Sequence, residues 1–548
     1  MFEQYLIALK DPKLIFIAVM AGIVALLTAN TIASRPAAVI TRRVATSNTL
    51  HNVFFMFTRF ANFFYIPLLA TYVDRAVLSK NIGLLNIQLR IIIWGAFLGG
   101  VALWLLLPTF VELFCKGVRS FERSGSMVKV VLMALNPLNL PKIIKCFKRP
   151  TNFGVSLFNL EGLPAGFLIW NVIGTGIWTV GVLCALYVSA VRPEYKVATV
   201  LLSGAVNSIA AIIFSTLVDP KASLITDEVI AGERPKKHIY ITAVFLTAGT
   251  VLGMILSQFL FMPGVAVVEF VAVKMAQGVG GSIALVVSLA VLVAVLYSTT
   301  AVSRVSAVVT KRVATAIAVY NLFFLITRLA QQIYAPIIGT IVDFAVKTNT
   351  VFRLEGQLRW IILGTTFGMT VGFILMPTFI EIYNKGIRGM EKYGSLPKVI
   401  LFSLMPNNWG KWVRCLRTPS VLGVKLSEIR QIPRNFLIYN IIVIAIHTIG
   451  VLAATYAGAL CKDFARQAAL LSGVVNGVAT ILMGLIVDPM ASLITDQAVS
   501  GQRPKHHVEI MAVFLIVGMI VGTVVSQLIF MPSAHFIKWC SEMITKVF

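Results

Sequence analysis

Two arginines interrupt long apolar segments of the chain. Arg59 lies in the phenylalanine-rich stretch 54–64, and Arg328 lies in the apolar stretch 321–330. An arginine at the centre of a bilayer costs about 2.5–3.5 kcal/mol even on a lenient insertion scale, so it is expected to face protein or water. Its planar guanidinium stays charged and can donate two parallel hydrogen bonds to phosphate oxygens. The pair therefore indicates an anion-binding site inside the membrane.

Neutral polar side chains accompany both arginines. At 100° per residue the polar residues fall on one helix face about 80° wide. These residues are Asn52, Arg59 and Asn62 in the first segment, and Asn321, Arg328 and Gln331 in the second. Amides would add uncharged donors to an anion site. The alternative is an ion pair between helices, with Glu112 or Asp74 as partner of Arg59, and such a pair could open when a substrate arrives.

Four carboxylates are candidates for ion or proton coupling: Glu112, Glu381, Asp74 and Asp343. Glu112 equally fits an interfacial carboxylate, and Asp74 equally fits the outer boundary of the second predicted helix. The stretch 219–227 predicts a turn followed by a short helix, with Asp219 or Ser223 as its cap. Ser203 and Asn207, beside glycine 204, favour close helix packing.

The sequence contains no motif of catalysis or cofactor binding. There is no phosphate-binding Walker loop, no paired metal-ligand histidines and no nucleophile elbow. None of the six cysteines forms a CxxC pair, so neither a disulfide framework nor a zinc site is expected. We therefore expect a protein that is not an enzyme, needs no cofactor or metal, and is not an ATP-driven pump.

Composition places the chain in a membrane. Of its 548 residues, 58% are apolar and only 13% are charged, whereas soluble domains are about 25% charged. The net charge is +25, but the basic residues lie in short stretches between apolar runs, where they indicate topology and attraction to anionic phospholipids. No basic domain exists that could hold nucleic acid, and the N-terminus lacks the pattern of a cleaved signal peptide.

The chain is a tandem duplication. The nonapeptide 219–227 reappears at 488–496, an offset of 269 residues. The same offset relates Arg59 to Arg328 and Asp74 to Asp343, and it holds without a gap from residue 34 to residue 527. We therefore divide the chain into repeats 1–269 and 270–548.

Each repeat contains six apolar segments long enough to span a bilayer. They lie near 13–35, 44–73, 87–114, 163–191, 197–218 and 238–262, and again near 281–304, 313–342, 356–383, 432–460, 466–487 and 507–531. The expected fold is an all-α membrane protein of twelve transmembrane helices, arranged as two parallel six-helix repeats.

The distribution of basic residues predicts the orientation. Lysine and arginine concentrate in the connections after the odd-numbered helices, most densely in residues 116–149. By the positive-inside rule these connections face the cytoplasm and both termini face outward. Residues 127–149 and 395–417 mix apolar and basic residues without the length to span, which indicates amphipathic segments on the inner leaflet.

Both halves resemble the Amj family of lipid II flippases. The resemblance runs in order through Ser34-Arg35, Thr58-Arg59-Phe60-Ala61-Asn62 and Leu107-Pro108-Thr109-Phe110, and it closes with Leu202-Ser203-Gly204-Ala205-Val206-Asn207 and Asp219-Pro220. It covers nearly the whole chain, once per half. The chain departs from the family in length, because members are about half this size.

The resemblance implies a function. It implies movement of the undecaprenyl-pyrophosphate-linked peptidoglycan precursor, lipid II, from the inner to the outer leaflet of the bacterial cytoplasmic membrane. By that implication Arg59 and Arg328 contact the pyrophosphate, and Arg35 and Arg304 lie near the inner entrance.

Two rival interpretations remain open on the residues alone. A secondary transporter could carry a soluble anion or another polyprenyl-linked lipid. A membrane scaffold that transports nothing would instead satisfy its internal arginines with carboxylates and contain no cavity. The sequence does not indicate the driving force, the oligomeric state or whether the two halves act equally.

Overall fold

The computed structural model describes residues 2–124, 127–156, 163, 165–279, 282–311, 313–393, 405, 408, 410, 413–499 and 501–547. Across these residues the fold is all-helical and contains no β-strand. Large apolar side chains such as Leu98, Phe259 and Leu528 are exposed on the long helices, which is the arrangement expected of helices that contact lipid. The predicted class of helical membrane protein is confirmed.

The helices of the first repeat follow the predicted order. They are α1 (Phe2–Ala8), α2 (Pro12–Ala29), α3 (Ser34–Thr41), α4 (Val44–Leu78), α5 (Leu85–Ser124), α6 (Met127–Leu135), α7 (Leu140–Ile144), α8 (Ala165–Val191), α9 (Lys196–Ile213), α10 (Asp219–Ala231) and α11 (Lys237–Val279). A π-helical turn, Phe214–Val218, joins α9 to α10 without a break.

The second repeat reproduces this order. Its helices are α12 (Ile283–Thr310), α13 (Val313–Lys347), α14 (Val351–Ile374), α15 (Met376–Tyr393), α16 (Arg434–Leu460), α17 (Ala465–Leu470), α18 (Ser472–Leu482), α19 (Asp488–Val499) and α20 (His506–Val547). A second π-helical turn, Met483–Val487, precedes α19 at the same offset of 269 residues. Most of the amphipathic segment predicted at 395–417 lies outside the described residues.

Two compact units divide the described chain. The first contains Met1–Ala272 together with the last residues, Ile544–Phe548, and the second contains Val273–Met543. In the first unit a buried cluster around Phe114, Val118 and Val244 joins α5 to α11. In the second, Met376, Phe436 and Phe514 belong to a buried cluster that joins α15, α16 and α20.

Within the described residues, eleven helices are long and apolar enough to cross a membrane. Counting α14 and α15 as one broken span brings the number to the predicted twelve, and these two helices meet at a bend of 67°. Pro377 follows the break, whereas its counterpart Pro108 lies inside the unbroken helix α5. A proline removes one backbone hydrogen bond and clashes with the preceding turn, so a bend at this position has a local cause.

Several predicted helix ends are wrong. The last span of each repeat was expected at 238–262 and 507–531, but α11 and α20 continue to Val279 and Val547. Pro263 and Pro532 directly follow the expected ends, and both lie inside continuous helix. A proline in a helix removes a single backbone hydrogen bond, and the helical residues on both sides of it keep theirs.

Glycines allow α2 and α5 to pack at backbone contact. A Cβ atom on Gly95 or Gly99 would overlap the carbonyl oxygens of Ala18 and Gly22. This packing of small residues is the usual way in which helices associate in lipid. The second repeat has a similar contact, because a Cβ on Gly372 would overlap the Ser298 hydroxyl.

Candidate functional site

Arg59 lies in α4 with a half-buried side chain. Its Cζ atom lies 5.2 Å from the centroid of the Phe55 ring, one helical turn earlier. Thr58 holds this part of α4 against α2, because its hydroxyl donates to the carbonyl oxygen of Leu27 over 2.9 Å. The guanidinium is therefore positioned on an aromatic face next to a helix contact, as a cation–π arrangement.

The amides predicted around Arg59 are only partly accounted for. Asn62 is half-buried, and its Nδ2 donates to the carbonyl oxygen of Thr58 over 3.1 Å, so one of its donors serves its own helix. The side chains of Asn52, Asn321 and Arg328 lie outside the described part of the structure, although their backbones are helical. Gln331 is exposed. A polar face shared by both repeats therefore stays a prediction.

Arg35 forms an ion pair that the sequence did not suggest. Its Nη2 lies 2.9 Å from Oδ1 of Asp219, and its Nη1 lies 3.4 Å from the Ser223 hydroxyl. The second repeat repeats the pair: Nη2 of Arg304 lies 2.9 Å from Oδ1 of Asp488. In each repeat the pair ties the end of the first span to the helix that follows the π-helical turn.

The prediction that Asp219 or Ser223 caps a short helix is wrong. Val218 occupies the cap position of α10, and no side chain bonds the free amides there. The helix needs no cap because the π-helical turn connects it to α9, so its first amides are already inside a continuous helix. The Asp219 carboxylate is thereby released for Arg35.

Both ion pairs are partly exposed. The side chain of Arg35 is 19% exposed and that of Asp219 is 57% exposed, so the pair contributes little to stability. In the second repeat Nη1 of Arg304 is buried without a hydrogen-bond acceptor among the described residues. An anion that reached these guanidinium groups could therefore compete with the carboxylates. π-Helical turns also occur frequently at functional sites.

The four candidate coupling carboxylates differ in burial. Asp74 and Asp343 are buried, with 0% and 5% of their surface exposed. Asp74 does not end its helix as expected, because α4 continues to Leu78. Glu112 is half-buried, and Glu381 lies within 4 Å of the amino group of Lys385 and the guanidinium of Arg417. Burial therefore separates the two aspartates from the two glutamates.

Another symmetric arginine contact was missed. Nη1 of Arg90 donates to the carbonyl oxygen of Gln258 over 2.8 Å, and Nε2 of Gln258 donates back to the carbonyl oxygen of Arg90 over 3.0 Å. Arg359 and Gln527 make the same pair of bonds, over 2.8 and 3.0 Å. The signal available was the offset of 269, which relates both residues of the pair. The contact fixes α5 to α11 and α14 to α20.

The asparagines of the fifth span pack differently from the prediction. Oδ1 of Asn207 and Oδ1 of Asn476 contact Gly181 and Gly450 of the preceding span. Gly473, in contrast, has open space where a side chain would begin. Close packing is present as expected, but the glycines that allow it belong to α8 and α16.

Comparison with known proteins identifies the family. The family model described as "Amj: Alternate to MurJ" matches residues 20–272 and again residues 289–541. The "Lipid II flippase Amj" of Bacillus subtilis (strain 168) is 31% identical over 231 residues, which cover 42% of this chain and 86% of that protein. No solved structure matches. The chain is a multi-pass bacterial membrane protein that belongs to the Amj family, whose unit it contains twice.

Proposed function

We propose that this chain is a lipid II flippase, which moves the undecaprenyl-pyrophosphate-linked peptidoglycan precursor from the inner to the outer leaflet of the cytoplasmic membrane. The observation that supports this most strongly is the family match, which covers residues 20–272 and 289–541, together with the 31% identity to a relative named for that activity. We infer that the repeats 1–269 and 270–548 are the two functional units.

The arginines are the side chains proposed to bind the pyrophosphate of the substrate. Arg59 is half-buried and contacts an aromatic ring rather than solvent alone. A pyrophosphate carried past this position would replace its hydration shell with charge-assisted hydrogen bonds, which are about twice as strong as neutral ones. Arg328, Asn62, Gln331, Asn52 and Asn321 are the further proposed contacts.

Arg35 and Arg304 would meet the substrate at the cytoplasmic entrance. Each is held by an aspartate at 2.9 Å, and the pyrophosphate would displace that aspartate. Release of Asp219 or Asp488 would free the helix that follows each π-helical turn. Substrate binding and helix movement would thus be the same event.

A surface segment would collect the substrate. Helices α6 and α7 are short, and Leu132, Leu138 and Phe147 in this segment are largely exposed. Lysines alternate with these side chains. Such a segment binds at the boundary of head groups and acyl chains, where lipid-linked precursors are carried.

The basic loops orient the protein. We infer that the connections after the odd-numbered spans face the cytoplasm and that both termini face outward, following the positive-inside rule. Asp74 and Asp343 then lie towards the outer leaflet. We propose them, together with Glu112 and Glu381, as the carboxylates that would couple transport to an ion or a proton.

The test is flipping of labelled lipid II in proteoliposomes, followed by its protection from an external reagent. Arg59→Ala combined with Arg328→Ala is expected to lower the initial rate at least about tenfold, since a hydrogen bond to a charged group is worth roughly 1.5–3 kcal/mol. Lys347→Ala combined with Arg353→Ala removes the same charge from exposed positions and should leave the rate unchanged.

Unchanged flipping by a well-folded Arg59→Ala, Arg328→Ala protein would rule out the proposed anion contact. Uptake of soluble anions without movement of lipid II would instead favour a secondary transporter.

A further inference from the structure

The first unit contains a cavity that the proposed transport does not use and whose lining includes charged and polar residues. It has a volume of about 530 Å³ and lies where α4 ends, between the start of α2 and the start of α5. Its lining residues are Asp11, Lys13, Tyr72, Arg75, Ala76, Leu78, Ser79, Asn81 and Gln88. This volume is within the range of small-ligand sites, about 300–1,000 Å³.

Two polar atoms of the lining meet no hydrogen-bond partner among the described residues. Arg75 donates from Nη2 to the carbonyl oxygen of Thr545 over 2.7 Å, which fixes its position. Its Nε is buried and meets no acceptor among the described residues. Gln88 is only 8% exposed, and its Oε1 has no donor in the same part of the structure. Buried polar groups are normally paired, so the cavity leaves a charged donor and a neutral acceptor for a ligand.

Basic residues outnumber acidic ones among the described residues of the lining. Asp11 is the one carboxylate of that set, and it already accepts two bonds: Oδ1 accepts from the backbone amide of Lys13 at 2.9 Å, and Oδ2 accepts from the Tyr72 hydroxyl at 2.8 Å. Lys13 and Arg75 together outweigh it. The ligand should therefore be an anion, and it should also carry a donor for Gln88.

This lining belongs to the first repeat alone. At the offset of 269 residues, Ser282, Ile341 and Phe344 replace Lys13, Tyr72 and Arg75. The basic residues also lie at the end of the helices that the positive-inside rule places outside, so topology does not account for them. A feature that neither the duplication nor topology explains points to a ligand.

We propose that this cavity binds a phosphate ester that carries neighbouring hydroxyl groups, the chemistry of a glycerol-phosphate lipid head group. The phosphate accepts from Nε of Arg75 and from Lys13, and a hydroxyl donates to Oε1 of Gln88. Leu78, half-exposed at the rim, contacts the first carbons of an acyl chain. The proposed orientation enters only where topology is excluded as the reason for the basic residues, and binding at this cavity does not depend on lipid II transport.

The test measures thermal unfolding of the full-length protein in a zwitterionic detergent during titration with short-chain lipids. Dioctanoyl phosphatidylglycerol should raise the unfolding temperature saturably, and dioctanoyl phosphatidylcholine should not. Arg75→Phe copies the second repeat and should weaken phosphatidylglycerol binding at least about tenfold, as loss of a bond to a charged group predicts. Lys347→Ala, at the end of α13, is the matched control and should bind like the unmodified protein.

A second variant tests the hydroxyl. Gln88→Leu keeps the shape of the lining and removes the acceptor, so it should bind phosphatidylglycerol no better than phosphatidic acid, which lacks the glycerol hydroxyls. Titrations with sn-glycerol 3-phosphate and with lipid II identify the source of the ligand, since tighter binding of either one would name a soluble phosphate or the transported lipid.

Equal responses to phosphatidylglycerol and phosphatidylcholine would overturn the proposal. So would unchanged binding in Arg75→Phe, or in Arg75→Gln if the phenylalanine variant fails to fold. Because the readout is binding, these outcomes are independent of whether the protein flips lipid II.

Discussion

At the scale of single residues, the arginines differ in what holds them. Arg35 and Arg304 face aspartates, Arg90 and Arg359 face glutamine side chains and carbonyl oxygens, and Arg59 lies over a phenylalanine ring. The reciprocal hydrogen bonds between an arginine and a glutamine hold two helices together. A partly exposed ion pair can exchange its carboxylate for a phosphate, because both accept from the same fork. Arg35 and Arg304 are therefore better candidates for substrate contact than Arg90 and Arg359.

A charge swap separates the two roles of the Arg35 pair. Arg35→Asp alone places two carboxylates together and should lower both the unfolding temperature and the flipping rate. Adding Asp219→Arg restores the attraction, so the unfolding temperature should recover by an amount equivalent to about 1 kcal/mol, the usual worth of an exposed pair. The flipping rate should stay at least about tenfold below that of the unmodified protein, because the guanidinium now lies on α10 instead of α3.

Flipping assays and unfolding curves on the same preparations provide the measurement, and the Arg304→Asp, Asp488→Arg swap is the matched experiment in the second repeat. Full recovery of flipping in the swapped protein would show that the pair only ties the two helices together.

At the scale of helices, close packing and local irregularity occur side by side. The contact between α2 and α5 depends on glycines that leave no room for a side chain. The fifth span of each repeat, in contrast, contains a π-helical turn directly before the aspartate of the ion pair. A tightly packed pair of helices can act as a rigid frame, and an irregular turn can adjust, so we expect movement to concentrate at the π-helical turns.

Gly99→Ala tests the rigid frame. The added Cβ would overlap the carbonyl oxygen of Gly22, and no change of rotamer relieves a clash with backbone, so the variant should lose about 1–3 kcal/mol of stability. Gly356→Ala is the control, because nothing lies within 4 Å of its added Cβ. That substitution should be neutral or stabilise by roughly 0.5–1 kcal/mol through helix propensity.

Thermal unfolding of the two variants in one detergent gives the comparison. An unfolding temperature of Gly99→Ala at or above that of Gly356→Ala would mean that α2 and α5 do not depend on this contact.

At the scale of the whole molecule, duplication explains the shared features and divergence explains the rest. The ion pairs, the glutamine contacts and the π-helical turns recur at one offset. The 67° bend between α14 and α15 and the cavity beside Arg75 each belong to one repeat. We therefore expect the two repeats to share the chemistry of transport and to differ in what they bind at their ends.

The orientation can be measured with single cysteines. In a protein whose native cysteines are replaced, Lys145→Cys in the basic segment after α7 should react only with a reagent that has crossed the membrane. Thr348→Cys in the connection between α13 and α14 should react with an impermeant maleimide from outside. Both positions are exposed, so access rather than burial decides the result. The reverse labelling pattern would place the termini in the cytoplasm.

The sequence by itself determined the membrane class, the duplication and the number of spans. Hydropathy and the repeat offset can be read directly from the order of the residues. The thickness of a bilayer then sets the length of each apolar segment that crosses it. It also identified Arg59 and Arg328 as unusual, because the cost of a charge in lipid depends on the residue and its depth alone.

Only the tertiary structure decided what those side chains meet. Arg35 and Asp219 are 184 positions apart in the chain, and no local pattern relates them. The lining of the cavity likewise combines α2, α4 and α5, with Thr545 of α20 holding Arg75 in place. The ends of α11 and α20 were likewise not predicted, because both helices continue past Pro263 and Pro532. Which side chains contact each other depends on how the helices pack, and that packing involves residues far apart in the sequence.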